Sequence, residues 1–335
     1  MTSDAGPGPL RIGILGAARI APAAVIKPAR NAAGVEVAAI AARDPARARE
    51  YAAKHGIPVV HGSYEELLSD PSVDIVYNPL PNGLHGRWTL AALRAGKHVL
   101  CEKPLTANAA EARAVAEAAQ GTDLVVMEAF HYRYHPVAQR AVEIIRSGEL
   151  GPLRHVAASA CIPLPRFSDI RYRLDLAGGA LMDIGCYAVH MVRTLVGAEP
   201  EVVAARARLH GRDVDRATWA QLRFPGGESG RVVGSLWSSN LMRLSLSALG
   251  ERGGLHVLNP LSPQSGHRLT VHVKGARRRV ERLSRRPSYE YQLDAFVAAV
   301  REKAPVLTDP ADAIGNMTVV DAIYRAAGLP IRRPS

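Results

Sequence analysis

The chain has 335 residues, 47% of them apolar, and a formal net charge of +11. That length suggests two domains with real cores, and no apolar run reaches the ~18 residues a membrane span needs. Three cysteines, Cys101, Cys161 and Cys186, form neither a CxxC pair nor an even framework, which argues for small apolar residues in a reducing, cytoplasmic compartment.

Met1–Pro9 is rich in Gly and Pro and lacks a basic stretch followed by an apolar one, so it reads as a disordered lead-in rather than a secretory signal. The arginines are spread along the whole chain. The densest run, Arg277-Arg278-Arg279 with Arg282, Arg285 and Arg286, has few interleaved aromatics and reads as a solvated loop. Nucleic acid is therefore not the expected partner; an anionic small ligand accounts for part of the positive balance.

From Leu10 onward, short β-branched runs alternate with alanine-rich helical runs. Arg11–Gly16 reads as a buried strand ending in glycine, and Ala17–Asn31 as the first helix. Val35–Ala41 is the second strand. Pro45–His55 is the second helix, with Asp44 as N-cap, Pro45 at the first helical position and Gly56 just past the end. Pro58–His61 and Asp74–Tyr77 read as strands, and His85–Ala95 as a helix closed by Gly96. A short strand from Lys97, the Ala107–Gln120 helix and the Thr122–Glu128 strand follow. This alternation predicts an α/β unit over residues 8–129, a Rossmann-type doubly wound parallel sheet.

The loop Gly16-Ala17-Ala18-Arg19-Ile20-Ala21 is a degenerate GxGxxG. Gly16 allows the tight turn, and small residues at 18 and 21 let a pyrophosphate approach a helix amino terminus. Gly16, Ala17, Ala18, Arg19 and Ile20 are thus candidate cofactor ligands. The second strand ends in Ala41-Ala42-Arg43-Asp44, where an acidic residue would favour NAD. Arg43 there favours a 2′-phosphate and hence NADP over NAD. Equally, Arg43 could be an ordinary exposed arginine at a helix start.

After Glu128 the pattern changes. Pro136–Ser147 and Leu181–Val196 read as helices, and extended segments fill Leu153–Ile162 and most of Val202–Val273. Gly226-Gly227 marks a hairpin turn, and Ser288–Arg301 and Pro310–Ala327 close the chain as helices. The expectation for residues 130–335 is an α+β domain with a mostly antiparallel sheet. Asp183, Tyr187 and His190, at i, i+4 and i+7, fall on one helix face. His131 and His135 lack a third ligand, so no metal is expected. Tyr289 and Tyr291 either line a pocket or only pack.

The strand from Lys97 runs out into Glu102-Lys103-Pro104. Ligands in open α/β sheets sit beyond the carboxyl ends of strands, where Lys103 would aim its amine. Alone, Lys103 reads as a surface lysine, and its bond to Pro104 is left open between trans and cis, cis being the minority state. The rest of the chain changes this. Glu102-Lys103-Pro104, the loop Tyr77–His85, the segment Met127–Pro136 and the stretch Gly178–Tyr187 together resemble the Gfo/Idh/MocA family of oxidoreductases. Within it the look is nearest to the dimeric dihydrodiol dehydrogenases and the NADP-dependent xylose and glucose-fructose oxidoreductases.

The resemblance implies hydride transfer between NADP and a secondary alcohol or ketone carbon of a sugar or cyclic polyol. It implies Lys103, Tyr187 and Asp183 as the catalytic set, and Asn82, His85, Glu102, Lys103 and Arg171 near the cofactor. It implies His131, Asp183, Tyr187 and His190 near the substrate. A nearby nicotinamide and burial would draw the Lys103 amine towards neutrality. Tyr187 replaces the histidine of the inositol dehydrogenases, and His131 the tryptophan of the dihydrodiol dehydrogenases, which argues against both substrate types. Arg171, twelve residues before Asp183, matches bacterial 3-keto-sugar reductases. Such a nucleotide-linked reductase, or a non-catalytic NADP-binding sensor, are the alternative readings. The family also implies a homodimer or homotetramer through the second sheet.

Overall fold

The computed structural model describes residues 8–335; most of the expected lead-in, residues 1–7, lies outside them. The first sheet holds six parallel strands: β1 (Leu10–Leu15), β2 (Val35–Ala41), β3 (Val59–His61), β4 (Ile75–Asn78), β5 (His98–Cys101) and β6 (Val126–Glu128). Their spatial order is β3-β2-β1-β4-β5-β6. The order reverses between β1 and β4, so their carboxyl ends open the crevice in which such sheets hold ligands.

Apart from the edge strand β3, the strands are buried on both faces over most of their length, as parallel strands covered by helices must be. One face packs on α1 (Lys27–Asn31) and α2 (Pro45–His55), the other on α3 (Tyr64–Ser69), α4 (His85–Arg94) and α5 (Ala109–Ala119). Asp44 caps α2 as expected, accepting from Ala46 N and Arg47 N. The first helix starts later than expected, with a π-helical turn over Pro22–Ile26. Helix α3 was not anticipated, although its signal was there. Ser63 accepts from Glu66 N while Glu66 accepts from Gly62 N, a variant of the reciprocal Ser-x-x-Glu capping box.

The second sheet has eight strands: β7 (Leu153–Cys161), β8 (Glu201–His210), β9 (Val214–Arg223), β10 (Ser229–Ser235), β11 (Arg243–Gly250), β12 (Gly253–Leu258), β13 (Arg268–Val273) and β14 (Arg279–Glu281). They lie in the order β14-β13-β12-β11-β7-β10-β9-β8, antiparallel except for the β7–β10 pair. Helices α6 (Pro136–Arg146), α7 (Cys186–Val196) and α9 (Pro310–Ala326) cover one face. The arginine-rich run is not simply a solvated loop. Arg279 pairs with Glu149 and Glu281, and Arg140 with Glu281, which ties β14 to α6. Arg286 binds Glu290 and Asp294.

Helix α8 (Ser288–Glu302) returns to the first sheet, where Leu293 and Phe296 are fully buried with Ile12, Ile14 and Ile40. The expected second unit, 130–335, is therefore crossed by an element that completes the first core. No helix among the described residues is long and apolar enough to cross a membrane.

Candidate active site

A cleft of about 770 Å³ lies between the two sheets, at the carboxyl ends of β1, β4 and β5. Small-molecule sites span roughly 300–1,000 Å³. One wall is the loop after β1, with Ala18, Arg19 and Ile20. Gly16 turns it with a φ of +88°, and a Cβ there would meet Leu80 Cδ2 at 3.0 Å, so the tight approach requires glycine. Arg47, which the sequence reading missed, also lines this wall, and its Nη2 donates to Ala17 O at 3.0 Å. A glycine turn backed by two arginines fits an anionic dinucleotide.

Strand β5 delivers Glu102 and Lys103 to the floor. The Lys103-Pro104 peptide is cis, the minority state of X-Pro bonds. Lys103 Nζ donates to the main-chain oxygen of Asp183 at 2.5 Å and lies 3.9 Å from its Oδ1 and 5.2 Å from the centre of the Tyr187 ring. The expected draw of the amine towards neutrality meets an opposing cause within the chain itself. Burial opposes the charge, but Asp183, Cys186 and Glu102 outweigh it and hold the ammonium above its ordinary value. Burial likewise raises the Tyr187 hydroxyl well above the usual tyrosine range. Both candidate acids hold their protons. Burial also raises the Glu102 carboxyl, whose Oε1 accepts from Tyr77 OH at 2.9 Å.

Asp183 lies in a π-helical turn, Leu181–Gly185, that leads into α7. Arg171 Nε donates to Asp183 Oδ1 at 2.9 Å. Asn82 lines the cleft and donates to Ala177 O, and Tyr289 lines it too, which settles the open choice for that residue. His85 borders the cleft between two carbonyls, Nδ1 2.7 Å from Pro104 O and Nε2 2.6 Å from Leu80 O, and as a neutral ring it donates to one of them. Burial pushes it down to about 4 while these carbonyls pull the other way. Its ring ties together the two loops of the floor.

Two expectations differ from the structure. His190 is buried away from the cleft. Its ring stacks on Phe130, and its nitrogens bond Tyr132 OH at 2.5 Å and Asp312 Oδ2 at 2.8 Å. A helix face read from spacing says nothing about what covers it two turns along. His131 does not line the cleft; it packs against Tyr289 and Tyr187, with Nδ1 on Ser288 Oγ. Burial lowers it to about 3, so it stands as a neutral ring supporting two wall tyrosines. Arg43 stands exposed at the end of β2, where the sequence placed it, outside the residues that line the cleft.

Two buried carboxylates escaped the sequence reading. Asp169 lines the cleft and binds arginines from both sides of it. Glu128 lies inside, with Oε1 accepting from Leu105 N and Oε2 unpartnered among the described residues. Asp169 sits in no motif, and Glu128 lies in the Met127–Pro136 segment without a role read for it there.

Comparison with known proteins agrees with this geometry. Residues 10–130 match the family described as "Oxidoreductase family, NAD-binding Rossmann fold", and residues 138–256 match the GFO/IDH/MocA C-terminal domain. The chain is 39% identical over 319 residues to D-xylose 1-dehydrogenase (NADP(+)) 2 of Haloferax volcanii, covering 95% of this chain and 97% of that one. It is 39% identical over 231 residues to human trans-1,2-dihydrobenzene-1,2-diol dehydrogenase, covering 67% of each. Its fold is similar to that of a 3-ketoreductase from Actinomadura kijaniata in complex with NADP and TDP-benzene. That TM-score is 0.87 at 31% identity, covering 95% of this chain and 98% of that one. With both sheets, the glycine turn and the Glu-Lys-Pro strand end in place, the chain belongs to the Gfo/Idh/MocA family of oxidoreductases.

Proposed function

We propose that the protein is an NADP-dependent oxidoreductase acting on a secondary alcohol or ketone carbon of a sugar or cyclic polyol. The observation that carries this reading is the convergence of Lys103 from one sheet with Asp183 and Tyr187 from the other in a single cleft. When bound, NADP supplies hydride chemistry at its nicotinamide; the chain's residues handle orientation and protons. The Gly16–Ile20 loop, Arg19 and Arg47 would hold the diphosphate, with Arg43 at the adenosine end. Lys103 would donate a proton to the substrate oxygen, with Tyr187 sharing it, and Asp183 would orient a neighbouring hydroxyl.

A second reading is reduction of a keto-sugar, whose ketone oxygen needs a proton donor; Arg171, the residue that matches the 3-keto-sugar reductases, lines the cleft and holds Asp183 at 2.9 Å. The 3-ketoreductase relative supports it, the xylose dehydrogenase relative the oxidative direction. A panel of sugars, polyols and keto-sugars, followed at the reduced-nicotinamide absorbance in both directions, tests both. Tight NADP binding with no turnover on any of them would instead support a sensor.

We also infer a homodimer or homotetramer through the uncovered face of the second sheet. Leu249, Leu258 and Val280 stand exposed on it, separated by Ser247, His256 and Thr270, and their exposure is what supports this reading. Light scattering measures the assembly. The three buried, free thiols support placement in the cytoplasm.

A further inference from the structure

Five charges of alternating sign cross the cleft. Arg19, on the glycine loop of the first sheet, donates through Nη2 to Asp169 Oδ2 at 3.3 Å. Arg171 donates to Asp169 Oδ1 at 3.0 Å through Nη1 and at 3.1 Å through its main-chain N. The same Arg171 reaches Asp183, which faces Lys103. The string therefore starts at the dinucleotide loop and ends at the proton donor.

Asp169 is the member whose placement needs explaining. Its side chain is 5% exposed, while that of Arg19 is 80% exposed. Burying a carboxylate is costly unless charge and hydrogen bonds compensate it, and here the partners come from both sides of the cleft. An exposed ion pair contributes little to fold stability by itself, so holding the protein together does not account for Arg19 reaching over. The contact strengthens where a bound ligand shields it from water.

We propose that Asp169 is a positioning residue that ties cofactor binding to the acid–base set: it holds Arg19 across the cleft as a clasp on a bound diphosphate, and holds Arg171 on Asp183. This rests on the NADP reading of the cleft. The residue acts through the two arginines and touches no reacting atom.

The test is the dissociation rate of NADPH from the full-length protein, followed by nicotinamide fluorescence during displacement with excess NADP. Asp169→Asn keeps the size of the side chain and its cap on Arg171 N, and thermal melting of the unliganded protein shows whether it folds. We expect dissociation to quicken about tenfold in Asp169→Asn and in Arg19→Gln, the scale of one charge-assisted contact. The double variant should be no faster than the quicker single one, because both changes break the same contact. Asp169→Glu, which keeps the charge, should recover part of the loss.

An unchanged rate in folded Asp169→Asn overturns the clasp and leaves the NADP reading standing. Multiplying effects, about a hundredfold in the double variant, overturn it as well, since the two residues would then act independently. A wild type that binds neither NADP nor NADPH overturns the cofactor reading and the clasp with it.

Discussion

At the scale of single residues, Lys103 and Tyr187 are separated by what each can lose. Lys103→Met removes the ammonium but retains much of the side-chain volume, so turnover should vanish while NADP affinity stays within several-fold; isotherms and steady-state rates check both. Tyr187→Phe should lower turnover by a factor of order 10². A loss below about threefold would make Tyr187 a packing residue. For Arg43, exposed at the end of β2, the expected role is recognition of the 2′-phosphate. Arg43→Ala should weaken NADP roughly ten- to hundredfold and NAD little, measured as four dissociation constants. Equal losses would assign the arginine to adenine stacking. Lys103, Asp183 and Tyr187 were legible because each sits in a short motif at a strand end or helix start. Asp169, Arg47 and Glu128 were not, because their roles come from chain segments far apart in sequence. His190 misled because spacing gives a face, not its neighbours.

At the scale of elements, the helix that carries Asp183 and Tyr187 is set unusually close to the second sheet. A Cβ on Gly234 of β10 would stand 2.5 Å from Gly185 Cα, and one on Gly185 would stand 3.0 Å from Leu181 Cδ1. At Gly234 the nearest atoms are all backbone, so no flexible side chain can yield there. Gly234→Ala must push the π-helical turn off the sheet, at a cost of about 1–3 kcal/mol. Thermal or denaturant unfolding should show the loss, and turnover should fall further than stability alone explains, because Asp183 rides on the displaced turn. Wild-type stability in that variant would show that the sheet bends instead. The two sheets and most helices were readable from apolar period and caps. The π-helical turns were not: their apolar pattern differs too little from that of an α-helix, and only packing reveals the extra residue. Strand β14 was hidden by its arginines, whose charges are matched by glutamates distant in sequence.

At the scale of the whole molecule, Glu128 couples stability to pH. Burial raises its carboxyl to about 8, with Asp312 adding to the shift, so the folded state holds a proton that the unfolded chain gives up near 4.3. A raised value means that the contribution to stability is complete below the unfolded value and lost as pH climbs through the folded one. Between about pH 4.3 and 8 the wild type should therefore lose on the order of a few kcal/mol, at about 1.4 kcal/mol per unit. Glu128→Gln keeps the shape without the titration and should lose less over that range; denaturant melts at several pH values check this, and identical slopes would refute it. The return of α8 to the first core has its own consequence, for anyone dissecting this chain into pieces. A fragment cut after residue 129 would leave the seat of Leu293 and Phe296 open to water and should aggregate. A minimal nucleotide-binding module has to be spliced from two distant stretches, with the 288–302 helix grafted back by a linker.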